Sequence, residues 1–264
     1  MKLGFIGCGN MASAIIGGIL NKGLAKPEDI LASVKTANSA EKIQNTLGIS
    51  CTTNNLEVAK YADYLFLAVK PQFCADVAFQ IKDLLTKEQV IISVIAGKNL
   101  EWLKTHLGND KKIIRTMPNT PALVGEGVTS VCHDNLVSHE ELENVLTLLK
   151  SFGQADIVTE PILDIVGAVS GSSPAFIFMF IEALADGAVA EGMPRKQAYE
   201  FAAQAVLGSA KMVLETQKHP GELKDMVCSP AGTTIEGVNI LEKEGMRSAV
   251  MDAVRACIQK TRKL

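Results

Sequence analysis

Up to about residue 160, short apolar runs alternate with stretches in which apolar residues recur every three to four positions. The first kind predicts strands at Lys2–Ile6, Ile30–Ser33, Tyr64–Ala68, Val90–Val94 and Lys112–Thr116. The second predicts helices, among them Met11–Lys22, Ser39–Leu47 and Ala75–Leu85. Two strand cores, LFLAV and VIISV, are apolar without interruption, which suits strands covered on both faces. Alternation of this kind predicts an α/β domain built on a doubly wound parallel sheet. After Glu160-Pro161 the strand signals stop. Helical periodicity continues through Leu163–Val169, Ala175–Glu191, Arg195–Thr216, Gly221–Val227, Thr234–Glu244 and Gly245–Lys263, punctuated by SGSSP, GMP, KHPG and CSPAG. The pattern therefore predicts a Rossmann-type domain over residues 1–160 and an all-α domain over 161–264.

Pro174–Leu184 is strongly apolar, and Glu182 and Asp186 end it short of a bilayer span, so it is expected to be a buried core helix. The stretches Ala175–Glu191 and Arg195–Thr216 are rich in Ala, Gly, Phe and Met. A helical domain this apolar either packs on the first domain or associates with another subunit, and association is the preferred reading.

Composition narrows the function classes. The formal net charge is −3 and no helix carries a basic cluster, which disfavours nucleic acid or a membrane surface as partner. Six dispersed cysteines without a CxxC pair suit reduced thiols in a cytoplasmic protein, and four histidines without ligand spacing predict no metal site. The N-terminus enters an apolar strand and then glycines, unlike a signal peptide.

Directly after the first strand stand Gly7, Cys8, Gly9, Asn10, Met11 and Ala12. Gly7 suits a tight turn, Gly9 admits a pyrophosphate, and Ala12 allows close packing of helix on strand. The new helix would turn its free N–H groups and positive dipole end toward phosphate. The second strand ends in Ser33-Val34-Lys35-Thr36, with no acid before Glu41. Hydroxyls and a lysine suit a 2′-phosphate, which favours NADP, with NADH as an alternative reductant. Lys35 equally fits an ordinary solvated lysine. Ala68-Val69-Lys70-Pro71, Ala96-Gly97 and Met117-Pro118-Asn119 each follow a strand and are expected to line the same crevice.

In the helical half, Ser173 before Pro174 suits an N-cap with a first-turn proline. Ser229-Pro230-Ala231-Gly232 predicts a turn, and Thr233-Thr234 the start of a helix whose N–H groups would hold an anion. A hydroxyl there also fits a simple helix cap. No general acid or base stands nearby, unlike most carbonyl-reducing dehydrogenases.

Taken together, GFIGCGNMA, LFLAVKPQ, MPNTPALVGEG, VSGSSPAFIF, ALADGAVAEGMPR, HPGELKDMVCSPAGTTI and AVRACIQKTRK closely resemble the pyrroline-5-carboxylate reductases, over essentially the whole chain. The resemblance implies NAD(P)H-dependent reduction of the cyclic imine 1-pyrroline-5-carboxylate to L-proline, the last step of proline biosynthesis. It also implies a helical domain that dimerises, with dimers building decamers. Position by position, it implies that Thr234 bonds the substrate ring nitrogen and that the N–H groups of Gly232 and Thr233 meet the carboxylate. Ser229 and Glu160 would lie at the substrate pocket, and Asn55, Val69, Lys70 and Ala96 would contact cofactor. Three positions depart from the family pattern. Val34 stands where some members place a serine near the 2′-phosphate, and Met226 where some place a cofactor-contacting asparagine. Ala231 replaces the more usual glycine of SPGGTT, a change that an ordinary turn should tolerate. Two other readings fit the same residues: a reductase of another imine or keto acid, and a non-catalytic dinucleotide sensor.

Overall fold

The computed structural model describes residues 1–263. Its first part runs β1 (Leu3–Ile6), α1 (Asn10–Asn21), β2 (Ile30–Ser33), α2 (Ala37–Leu47), β3 (Ser50–Thr52), α3 (Asn55–Tyr61) and β4 (Tyr64–Leu67). It continues with α4 (Cys74–Ile81), β5 (Val90–Ser93), α5 (Leu100–Leu107), β6 (Lys112–Met117), β7 (Gly127–His133), α6 (His139–Leu149) and β8 (Gly153–Ile157). Helices α7 (Glu160–Val166), α8 (Ser173–Ala190), α9 (Arg195–Thr216), α10 (Pro220–Val227), α11 (Thr233–Lys243) and α12 (Met246–Thr261) complete the chain. Two compact units divide it: Met1–Ser172 with the residues from Cys257 onward, and Ser173–Ala256.

In the first unit the strands form one sheet in the order β3-β2-β1-β4-β5-β6-β7-β8. Every residue of β1, β4 and β5 is buried, as expected of strands covered on both sides. Side chains alternate between two apolar cores. Leu3, Phe5, Tyr64, Phe66, Val90, Ile92 and Ile114 join α1 and α6 on one face. Ile6, Leu65, Leu67, Ile91 and Ile113 join α3, α4 and α5 on the other. Phe5 and Phe66 stack across neighbouring strands with ring centroids 4.5 Å apart.

The sheet departs from the all-parallel expectation at one place, where β7 runs antiparallel to β6. Strands β3, β7 and β8 escape the periodicity because they are short or polar. β3 is only Ser-Cys-Thr, β8 is mostly exposed, and β7 buries Thr129 and Ser130 among its apolar residues.

The SGSSP break is also resolved differently. Gly167–Ser172 forms a π-helical turn that joins α7 to α8, so the chain is helical without a gap from Glu160 to Ala190. Ser170 Oγ donates to the Val166 carbonyl inside this turn, and Ser173 lies within the run rather than capping a new helix. The resulting 31-residue helix, of mean hydropathy 1.6 over its most apolar window, is long and apolar enough to span a bilayer by those two criteria. The acids at 182 and 186 therefore do not keep it below that length.

The second unit has little interior of its own. Helices α8 and α9 pack against each other. Only Ala185 of α8 and Ala198 and Ala202 of α9 are buried, so α8 is not the core helix that its composition predicts. Phe178, Met179, Phe201 and Leu214 stand 62–71% exposed. An apolar surface of this extent on one chain marks an interaction face.

Candidate active site

The turn between β1 and α1 is built for close approach. Gly7 sits at φ +88, where an added Cβ would lie 2.7 Å from the Ala68 carbonyl oxygen. Its N–H donates to the Ser33 carbonyl at 3.0 Å, tying the turn to the end of β2. Gly9 is the N-cap of α1, which has neither a side-chain cap nor an acid in its first turn. A Cβ on Gly9 would meet nothing within 4 Å. The protein itself therefore does not require glycine there. Open space in front of uncapped N–H groups suits a phosphate.

This turn opens onto a cavity of about 790 Å³. Gly7, Cys8 and Gly9 line one end, and Ser33, Val34 and Lys35 line the wall that follows β2. Asn55, Val69 and Lys70 complete the predicted set in the lining. Asn10 and Met11 open α1 beside the turn but do not line the cavity, and neither do Ala68, Pro71, Ala96 or Asn119.

Three predicted residues, Ser33, Asn55 and Asn119, prove to be committed to internal bonds. Ser33 is fully buried and donates its hydroxyl to Asn55 Oδ1 at 2.7 Å, while Asn55 Nδ2 donates to Gln80 Oε1 at 3.0 Å. Ser33 thus orients Asn55 instead of presenting a free hydroxyl. Asn119 is buried, donates to the Ser170 carbonyl at 3.0 Å and accepts from the Val128 N–H at 2.9 Å. Its side chain holds the π-helical turn and β7 to the end of β6.

Other lining residues were invisible to motif reading. Lys35 Nζ lies 5.6 Å from the Phe73 ring centroid, and Ser39, Phe73 and Gln80 all line the cavity. No motif marks them, because they lie in the first turns of α2 and along the approach to and body of α4. Burial pushes the Cys8 thiol up to about 11, against the lowering effect of the Ser13 hydroxyl, so it stays neutral at the turn.

Glu160 opens α7 and is held on two sides. Its Oε1 accepts the Leu100 N–H at 2.6 Å and pairs with Arg115 Nη1 at 3.1 Å. Arg115, 1% exposed, also reaches Asp164 Oδ1 through Nη2 at 2.6 Å. Facing it across the β6–β7 pair is Cys132, whose thiol is pushed up to about 12 by burial first and by Glu160 next.

In the second unit, Ser229–Gly232 makes the predicted turn, and Gly232 is the N-cap of α11. No side chain caps this helix, so the simple-cap reading of the threonines does not hold. The Gly232 N–H donates to the Ser229 carbonyl at 3.0 Å and is therefore engaged inside the turn. The free donors begin with Thr233 and Thr234, both exposed. A Cβ on Gly232 would lie 2.3 Å from Ser229 Oγ and 3.1 Å from the Ser229 carbonyl oxygen, so a larger residue here requires the Ser229 hydroxyl to turn away. Ala231 has φ +53, a left-handed conformation that strains alanine. The turn is thus less tolerant than the sequence suggests. Ala231→Gly is expected to stabilise the protein by roughly 0.5–1 kcal/mol, read as a raised urea midpoint at constant slope.

Residues 160–264 match the family description "Pyrroline-5-carboxylate reductase dimerisation", and residues 2–97 match "NADP oxidoreductase coenzyme F420-dependent". The pyrroline-5-carboxylate reductase of Escherichia coli K12 is 51% identical over 263 residues, covering 100% of this chain and 98% of that one. The chain belongs to the pyrroline-5-carboxylate reductase family. Among solved structures, a pyrroline carboxylate reductase from Plasmodium falciparum with NADP bound aligns at TM-score 0.92 and 34% identity, covering 100% of this chain and 97% of that one. The Streptococcus pyogenes 1-pyrroline-5-carboxylate reductase aligns at TM-score 0.89 and 35% identity, covering 100% and 99%. The family's two-part architecture, a Rossmann-type sheet followed by a helical dimerisation domain, is the one predicted from the sequence.

Proposed function

We propose that the chain reduces 1-pyrroline-5-carboxylate to L-proline, the final step of proline biosynthesis, with NADPH as preferred reductant and NADH as an alternative. The observation that carries this reading is the start of α11: a glycine-capped helix end with no side-chain cap, exposed Thr233 and Thr234, and Glu236 as the one acid of its first turn. Family membership and the phosphate-ready turn at Gly7–Gly9 support it.

When bound, NADPH supplies the hydride. The chain's own residues bind and orient. Gly7 sets the turn with its N–H spent on Ser33, and Cys8 and Gly9, with the first turn of α1 at Asn10 and Met11, would present N–H groups to the pyrophosphate. Lys35 with Ser39 meets the 2′-phosphate, and Val34 and the Asn55 side chain fixed by Ser33 shape the ribose wall. Val69 and Lys70 would flank the phosphates from the end of β4, carried by their neighbours Ala68 and Pro71, which stay outside the lining. Ala96 and Asn119 belong to the loops on the nicotinamide side, Asn119 by holding its loop in place.

At the substrate end, Thr233 and Thr234 N–H groups take the carboxylate, with Ser229 and Gly232 setting the turn that aims them. The Thr234 hydroxyl holds the ring nitrogen. An imine nitrogen takes up its proton before reduction, so positioning suffices and no side chain need act as acid. Two copies associate through the apolar faces of α8 and α9, and dimers assemble further into a decamer. The division into a cofactor domain over 1–160 and a substrate and dimerisation domain over 161–264 accompanies this reading. So do a cytoplasmic location, consistent with six free cysteines, and no nucleic-acid or membrane partner, consistent with a net charge of −3.

Oxidation of NADPH and NADH, followed with pyrroline-5-carboxylate, piperideine carboxylates and 2-keto acids, tests the assignment. No rate with pyrroline-5-carboxylate would overturn it. Thr234→Ala is expected to lower kcat/KM roughly tenfold, the worth of one hydrogen bond, without changing Tm. Unchanged kinetics would remove Thr234 from the mechanism.

A further inference from the structure

The Arg115–Glu160 pair lies outside the cofactor cavity, yet it touches the connection that leaves the next strand. The cavity is lined by residues that follow β1, β2, β3 and β4. Those strands serve the adenosine and pyrophosphate part of a dinucleotide, and the nicotinamide half belongs over the carboxyl ends of the strands beyond β4. The loop from Val94 to Asn99, which carries Ala96, leaves the carboxyl end of β5 at that place.

Both ends of this loop are pinned. At its start, the Ile95 N–H donates to Ser93 Oγ at 3.3 Å, and Thr116 Oγ1 donates to the Ser93 carbonyl at 3.1 Å. At its end, Asn99 caps α5 through the Trp102 N–H at 2.8 Å. The Leu100 N–H, first of that helix, is taken by Glu160 Oε1 at 2.6 Å. Glu160 is itself fixed by Arg115, whose guanidinium is 1% exposed and anchored a second time by Asp164. The same carboxylate oxygen thus links β6, the start of α5 and the start of α7.

From this geometry we infer that Glu160 is a positioning residue for the nicotinamide half of the cofactor, acting through Leu100 and the Val94–Asn99 loop without touching substrate. This rests on the proposed reductase reading. Its oxygen is occupied by two partners inside the first unit, which redirects the role that family resemblance implies for it. Glutamine at this position retains an acceptor for the Leu100 N–H, whereas alanine removes both bonds.

The test uses full-length wild type, Glu160→Ala and Glu160→Gln. Without cofactor, Glu160→Ala is expected to speed amide hydrogen exchange several-fold in the 94–100 segment, with β1 and β4 unchanged. With NADPH, kcat for pyrroline-5-carboxylate should fall roughly tenfold or more while NADPH affinity stays within about threefold. The isotope effect with 4-deuterated NADPH should rise as hydride transfer becomes more limiting. Glu160→Gln should recover most of kcat and of the exchange protection. A Glu160→Ala protein with wild-type kcat and wild-type exchange in 94–100 would overturn the inference. So would one that merely loses Tm while its kcat and isotope effect hold. A wild-type protein inactive on pyrroline-5-carboxylate would overturn the reductase reading itself, and the cofactor-free exchange result would stand apart from that failure.

Discussion

Arg115→Ala is expected to cost the fold roughly 3 kcal/mol, seen as a lower urea midpoint at unchanged slope. Arg115 is 1% exposed and serves two carboxylates, Glu160 at 3.1 Å and Asp164 at 2.6 Å. Removing it leaves both acids facing each other without a cation and opens space where its stem packed. The figure sits at the low end for a broken buried pair because Glu160 and Asp164 side chains are 31% and 28% exposed and can turn partly to water. Among the described residues Arg115 Nε has no hydrogen-bond partner, so the guanidinium is held there through its two terminal nitrogens. A loss below about 1 kcal/mol would mean that the three charges act as an ordinary surface cluster.

The second large effect concerns cofactor affinity. Gly9→Ala is expected to weaken NADPH binding by about thirtyfold, the equivalent of roughly 2 kcal/mol for a displaced charged hydrogen bond, while leaving Tm in place. Gly9 has φ −87, which alanine adopts freely, and its Cβ would meet no protein atom within 4 Å. In the proposed mode of binding, the pyrophosphate would stand in its way. Gly7→Ala provides the contrast. There φ is +88 and the Cβ would lie 2.7 Å from the Ala68 carbonyl, so the substitution should lower Tm as well as affinity. Titration of NADPH by fluorescence, with melting curves beside it, separates the two. If Gly9→Ala binds NADPH as well as wild type, the phosphate is not held at this turn.

Much of this was legible in the chain because the signals are local. Buried parallel strands are nearly all apolar, so β1, β4 and β5 declare themselves in a handful of residues. A turn that admits phosphate needs glycines at set offsets, so Gly7 and Gly9 are equally plain. The edge strands β3 and β8, and β7 beside β8, were not, because they draw their pairing from neighbours and not from their own composition. The SGSSP segment misled for a similar reason. Its serines and glycine favour a break locally, yet Ser170 Oγ bonds back to Val166 and Asn119 takes the Ser170 carbonyl, which makes a π-helical turn affordable within one continuous helix.

The sequence by itself determined the sheet core, the glycine turn after β1, the helical second half and the family, since each rests on periodicity or on residue types at fixed spacing. Tertiary structure alone decided which side chains remain available. Ser33 and Asn119 spend their polar groups on Asn55, Ser170 and Val128. Gly232 spends its N–H on Ser229, and Glu160 its oxygen on Leu100 and Arg115. These partners lie 3 to 60 residues away along the chain, and whether a polar group faces ligand or protein depends on that pairing. Burial of a hydrogen-bonding group demands a partner, and only the fold brings the partner to it.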